Sequence, residues 1–212
     1  MNIYLDNAAT TPIDPRVVDA MIPVLKENFG NPSSIHSHGR IARSVIERSR
    51  KQLASYFNAS PAEFFFTSGG TEADNMILRC SVDDLGVKHI ITSCLEHHAV
   101  LHTAEQLAEQ GKIKLSLVKV CNKGKIDLAH LRELLVGNTE KTLVSLMHAN
   151  NEIATKLPLK EVGEICKEYD ALFHSDTVQT MGHYEFDFQD INIHFATCAA
   201  HKFHGPKGVG FL

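Results

Sequence analysis

The sequence predicts an α/β domain built on a mostly parallel sheet. Three observations lead there. From Phe64 onward, short apolar runs alternate with amphipathic segments, the pattern of strand–helix–strand units. At 212 residues and 43% hydrophobic, the chain can bury one substantial core. Three of the apolar runs end in distinctive polar groups, and in open α/β sheets ligands bind outside the carboxyl ends of the strands.

The elements follow in order. Asp14–Phe29 reads as a helix, with Asp14 as cap, Pro15 at the first helical position and Gly30 as the stop. Val18, Met21, Ile22, Leu25 and Phe29 share one face. Asn31–Ser34 is a turn. A second helix, from about Gly39 to Phe57, turns Ala42, Val45, Ile46, Leu53 and Phe57 inward. Ser60-Pro61-Ala62-Glu63 is a capping box opening a single turn. Phe64–Ser68 is a strand, and Gly69-Gly70-Thr71 leads into a helix. Lys88–Ser93 is a strand followed by a helix over His97–Gln110. Lys114–Val120 is a strand of alternating polarity, and Asp127–Leu135 a helix. Thr142–Met147 is a buried strand. Pro158–Tyr169 is a helix, and Ala171–Ser175 and Ile191–Thr197 are strands. Gly208–Leu212 reads as a strand just begun, so the chain is expected to be the front portion of a longer one.

Composition narrows the function classes. A net charge of -4 without a long basic run makes nucleic acid a poor partner. The five cysteines form no C-x-x-C pair, which argues against a disulfide framework or a zinc ribbon. Reduced thiols and an N-terminus without signal-peptide character fit a cytoplasmic protein. No apolar stretch has the length of a membrane span. His98 and His102 share a helical face, but no H-E-x-x-H pattern accompanies them, so no metal is expected.

The polar strand ends carry the chemistry. Lys202 follows the apolar run Ile191–Cys198 and precedes a Gly-Pro turn. Poor hydration there would lower its pKa and make it a candidate amine nucleophile, although a lone loop lysine is usually a surface residue. Thr67-Ser68-Gly69-Gly70-Thr71 offers free amides and a helix dipole to an anion, or is simply a turn. Asp176 ends a buried strand, where a carboxylate needs a cationic partner or serves as a cap. Gln179 lies three residues on. A phosphate site, a buried acid and a desolvated lysine are together the parts that pyridoxal phosphate requires.

The ordered motifs Tyr4-Leu5-Asp6-Asn7-Ala8-Ala9-Thr10-Thr11-Pro12, Phe29-Gly30-Asn31-Pro32-Ser33-Ser34, Thr67–Asn75, Glu96-His97, His148-Ala149-Asn150-Asn151-Glu152 and His201-Lys202 span the chain. In that order they resemble the cysteine desulfurases, in the class V branch of the fold type I pyridoxal phosphate enzymes. The resemblance implies a three-layer domain on a seven-stranded, mostly parallel sheet. It divides the chain into 1–13, a segment packing on a small domain that is absent, and 14–212, the cofactor-binding large domain. It also implies a homodimer with sites at the interface.

Position by position, Lys202 resembles the lysine that holds the cofactor aldehyde and shuttles protons. His97 resembles the histidine stacked on the ring, also active in acid–base steps; alone it would read as a surface residue at a helix start. Asp176 resembles the partner of the pyridine nitrogen, and Val178 packs on the opposite ring face. Gln179 resembles the donor to the phenolic oxygen, with Asn151 near that oxygen and the substrate carboxylate. Gly70, Thr71 and His201 resemble phosphate ligands. Lys207 is a second lysine nearby, but Lys202 is the one that follows histidine as in the family.

There are departures. Ala199 stands where the family has a phosphate-binding serine, a loss of about 1–3 kcal/mol of cofactor affinity if nothing replaces it. Ala200 and Ala154 replace family glycines, and Thr177 an alanine. None of Cys80, Cys94, Cys121, Cys166 and Cys198 falls at the family's catalytic position, and most read as small core residues.

The implied reaction removes sulfur from L-cysteine, giving L-alanine and a persulfide. The sulfur would pass to an acceptor such as an iron–sulfur scaffold or a tRNA-thiolation partner. The alternatives are another class V enzyme, such as a selenocysteine lyase or an aminotransferase-like relative, and a non-catalytic chain that binds cofactor or partner.

Overall fold

The structure, a computed structural model, describes residues 3–212. Two helices come first, α1 (Pro15–Glu27) and α2 (Ser37–Tyr56). Then follow β1 (Phe66–Thr67), α3 (Gly70–Asp83), β2 (His89–Thr92), α4 (His98–Glu109) and β3 (Lys114–Leu117). The chain continues through α5 (Leu128–Leu135), β4 (Thr142–Ser145), α6 (Leu159–Glu168), β5 (Leu172–Asp176), β6 (Phe195–Ala199) and β7 (Gly210–Phe211).

The seven strands form one sheet in the order β1-β7-β6-β5-β4-β2-β3. The pairs from β3 to β6 are all parallel, with Val144 beside Phe173 and Ser175 beside Ala196. Only β7 runs antiparallel, to β1 on one side and β6 on the other. Two antiparallel steps leave β1 pointing the same way as β6. The carboxyl ends of β1, β5 and β6 therefore meet at one edge, although they lie far apart in the chain.

Neighbouring strand residues face opposite sides of the sheet. Ile91, Val144 and Phe173 pack with α2, α5 and α6 on one face. Ile90 and Leu143 pack with Ile77, Leu78 and Val82 of α3 and with Val100, Ala104 and Leu107 of α4 on the other. These are the three expected layers.

Strand β7 fits between its neighbours only because Gly210 lacks a side chain. A Cβ there would lie 2.2 Å from the Cys198 carbonyl oxygen and 2.9 Å from Gly69 Cα. Both contacts are backbone and cannot swing away. Gly210→Ala should lower stability by at least about 1–3 kcal/mol, read as a drop in the urea midpoint.

Four local expectations need correction. Helix α1 ends at Glu27, with Asn28 as its cap, and not at Phe29. None of its residues is buried, and Ile22, Leu25 and Phe29 are exposed. Periodicity marks an apolar face but not what covers it. In α2 the buried residues are Gly39, Ala42 and Ala54, while Ile46 is exposed. The last parallel strand begins at Phe195 rather than Ile191. The backbone of Ile191–Ile193 closes a local turn, Ile193 N–H to Ile191 O, so it cannot join the ladder. Lastly, three of the five cysteines, Cys80, Cys94 and Cys121, are exposed, and only Cys166 and Cys198 are core residues.

The capping box forms as its sequence requires. Ser60 Oγ accepts from Ala62 N–H, and Glu63 reaches back to the Ser60 N–H (2.6 Å). At the N-terminus, Thr11 donates through both N–H and Oγ1 to the His201 carbonyl, and Asp14 N–H donates to that of His204. Residues before α1 are thereby laid against the turn that carries Lys202.

Candidate active site

A cavity of about 440 Å³ opens where the carboxyl ends of β1, β5 and β6 converge. Gly70 and Thr71 reach it from the start of α3, and His97 from the start of α4. Asn151 comes from the loop after β4. Asp176, Val178 and Gln179 come from the end of β5, and Ala199, His201 and Lys202 from the end of β6. All ten residues singled out in the sequence share this one wall.

Each is held for a local reason. Gly69 precedes α3 with φ 156° and ψ -175°, a conformation open essentially to glycine. No side chain caps α3, which leaves its first N–H groups free to face an anion. His97 is itself the cap of α4, and its Nδ1 accepts the Ala99 N–H (3.1 Å). In the neutral ring this leaves the proton on Nε2. Of the adjacent asparagines, Asn150 is spent on structure: its Oδ1 accepts from Glu152 and Ile153 N–H, and its Nδ2 donates to the Leu95 carbonyl. Asn151 is the one left to line the cavity.

Ala154, at the position of a family glycine, has φ 56°. A left-handed alanine carries strain of about 1 kcal/mol, which a glycine would relieve. Ala199 is buried beside Gly70 and presents a methyl group where the family has a hydroxyl.

The electrostatics set the roles open to these groups. Burial lowers the Lys202 pKa below the ordinary lysine value, while Asp176 and Asp6 pull it back upward. Lys202 Nζ and Gln179 Nε2 both donate to the Ala8 carbonyl. Burial raises Asp176; the Val178 N–H on its Oδ1 (2.9 Å) and the nearby His97 and Lys202 act the other way. Among the described residues no cation lies within ion-pairing distance of Asp176, so a buried carboxylate faces the cavity with its charge uncompensated.

Behind His97, Glu96 is a second buried acid, receiving Ser93 Oγ on Oε1 (2.6 Å) and Met147 N–H on Oε2 (2.8 Å). Burial pushes its carboxyl up to about 8 from an ordinary 4.5. The folded value lies above the unfolded one, so its contribution is fully present below about 4.5 and is lost as pH rises through about 8. Glu96→Gln should flatten the fall of the melting temperature across that window in calorimetry.

Residues that the sequence did not single out also line the cavity, among them Asp6, Ala8, Asp74, Met147 and Glu152. Asp74 had a usable signal: it lies four residues after Gly70 on the same helical face. Asp6 and Ala8 fall in the first ordered motif, but only the tertiary fold shows that they come to Lys202. His98 and His102 stack with ring centroids 4.5 Å apart, without a third metal-binding side chain among the described residues. Of the cysteines, buried Cys166 and Cys198 have thiols pushed up by desolvation, which disfavours the thiolate.

A sheet of this topology, with a lysine and an uncompensated acid at adjacent strand ends and an uncapped helix beside them, defines a pyridoxal phosphate fold of type I. The chain belongs to the aminotransferase class-V family, whose model matches residues 3–212. It is 45% identical over 213 residues to the putative cysteine desulfurase IscS 1 of Bacillus subtilis strain 168, covering 99% of this chain and 55% of that one. Against the cysteine desulfurase IscS of Dictyoglomus turgidum it is 46% identical, covering 99% and 53%. Among solved structures, a NifS-like protein superposes with a TM-score of 0.92 at 40% identity, covering all of this chain and 58% of that one. A structure described as SspA in complex with cysteine gives 0.93 at 31% identity, covering 99% and 60%. The chain thus spans about half the length of the curated relatives it matches. Members of this family use pyridoxal phosphate.

The residues present fit that cofactor. The orphan charge of Asp176 suits a protonated ring nitrogen, the free N–H groups of α3 suit a phosphate, and the desolvated Lys202 suits an aldehyde.

Proposed function

We propose that this chain is the cofactor-binding part of a cysteine desulfurase, acting on L-cysteine to give L-alanine and a persulfide. The observation that carries the reading is the single cavity joining Lys202, Asp176 and the start of α3. The relatives' names support the substrate class.

When bound, pyridoxal phosphate supplies an electron sink for the substrate α-carbon. Gly70, Thr71 and His201 bind the phosphate. Asp176 holds the proton on the ring nitrogen. Val178 and His97 cover the two ring faces and exclude water. Gln179 and Asn151 orient the phenolic oxygen, and Asn151 also faces the substrate carboxylate. Lys202 Nζ would hold the aldehyde carbon and, once the substrate amine displaces it, would be free to take the α-proton, while His97 would move protons through Nε2. The sulfur would be taken by the attack of a cysteine thiolate, which no cysteine among the described residues supplies at the cavity, and would then pass to an acceptor such as an iron–sulfur scaffold or a tRNA-thiolation partner, in a cytoplasmic homodimer.

The test is direct. Mixed with pyridoxal phosphate and reduced with borohydride, the chain should carry one covalent label, mapped by mass spectrometry to Lys202. A label spread over surface lysines would refute the site. A labelled Lys202 without sulfide release from L-cysteine would assign the chain to cofactor binding without turnover.

A further inference from the structure

Asp74 has no role in the reading above, yet it is 1% exposed and lines the cavity. Its Oδ1 has no hydrogen-bond partner. The side chain facing it is His174 of β5, wholly buried, whose Nε2 is likewise without a partner and lies 3.5 Å from that Oδ1. On its other side, His174 Nδ1 is 2.8 Å from Ser145 Oγ. Two orphaned buried atoms in this geometry differ by one proton from a hydrogen bond, and an approach of about a few tenths of an ångström would close it.

The charges nearby decide where that proton sits. Burial opposes an ionised Asp74 most, and the carboxylate of Asp176 on β5 repels it further. Thr197 is the neighbour that favours the anion. Burial also holds the His174 ring neutral, down to about 3. Burial raises Asp176 too, but the Val178 N–H and the nearby His97 and Lys202 act against it, where Asp74 has Thr197 alone.

We propose that Asp74 is a positioning residue that stays a neutral acid, donating its proton to His174 Nε2, which passes the polarity on through Nδ1–H to Ser145 Oγ. The consequence for the site is that Asp176 keeps its negative charge against the ring nitrogen, with no second anion competing for the proton there. This role rests on the proposed cofactor reading; the proton on Asp74 does not.

The test has two arms. In infrared difference spectra of the cofactor-free chain at neutral pH, Asp74→Asn should remove one protonated-carboxyl band; an unchanged spectrum overturns the proposal. In the second arm, Asp74→Asn should leave the dissociation constant and visible band of bound pyridoxal phosphate within about threefold of wild type, while Asp176→Asn weakens binding at least about tenfold. Equal losses in the two variants overturn it. If wild type itself takes up no cofactor, the functional reading fails and the infrared arm still decides Asp74. Should Asp74→Asn not fold, side-chain NMR of the wild-type chain replaces it. A protonated aspartate carboxyl coupled across a hydrogen bond to His174 Nε2 is expected, and its absence overturns the proposal.

Discussion

Lys202→Ala should abolish the fast, single-site borohydride-trapped labelling by pyridoxal phosphate, leaving only the slow labelling of surface lysines. The reason lies in what the amine needs. It must be neutral to attack an aldehyde, and it must sit where the aldehyde arrives. Burial lowers the Lys202 pKa, so a larger fraction is neutral at a given pH than for an exposed lysine. The labelling rate should therefore rise with pH and level off earlier than for surface lysines such as Lys160. The measurement is mass-spectrometric labelling against pH, with each lysine followed in the same sample. Lys207 lies five residues on and serves as the internal control: it should label slowly in both chains. Rapid labelling of Lys207 in the Lys202→Ala chain would mean that the cavity selects no particular amine.

Phe173→Ala should be the most damaging single truncation in the core. Phe173 is fully buried on β5, in the middle of the sheet, with β4 and β6 on either side. Removing the ring loses its transfer energy and leaves a void that two flanking strands cannot collapse to fill. The expected cost is about 3–5 kcal/mol, against a total stability of about 5–15 kcal/mol for a domain. The same strand ends at Asp176, so the cavity should loosen with it. Urea denaturation gives the stability. Cofactor labelling of the still-folded fraction gives the second reading. A loss under about 1 kcal/mol would show that β5 is not the spine of the sheet.

Much of this was legible in the chain. Capping residues fixed the starts of α1 and of the turn at Pro61, because a cap is a local bond between residues two or three apart. Apolar runs located six of the strands, because a buried strand must be apolar whatever surrounds it, and alternating polarity located the edge strand β3. Six of the ten cavity residues lie in the ordered motifs that resemble a known family; Asp176, Val178, Gln179 and Ala199 were found at the strand ends or by position in that resemblance. The bounds were less so: β1 and β7 are two residues each, since they pair only where three strands overlap.

What the sequence by itself determined is therefore local chemistry: which segments want to be helix or strand, and which side chains could bind a phosphate, hold a proton or attack an aldehyde. Tertiary structure alone decided which of these meet. Reversal of β7 between them turned the ends of β1 and β6 to the same edge, the N-terminal segment put the Ala8 carbonyl on Lys202, and packing set Asp74 opposite His174. Such contacts join residues up to 194 apart, and no propensity or spacing rule reaches so far. The exposed face of α1 makes the same point in reverse: its apolar stripe is written in the sequence, but burial depends on a neighbour, and none of the described elements covers it.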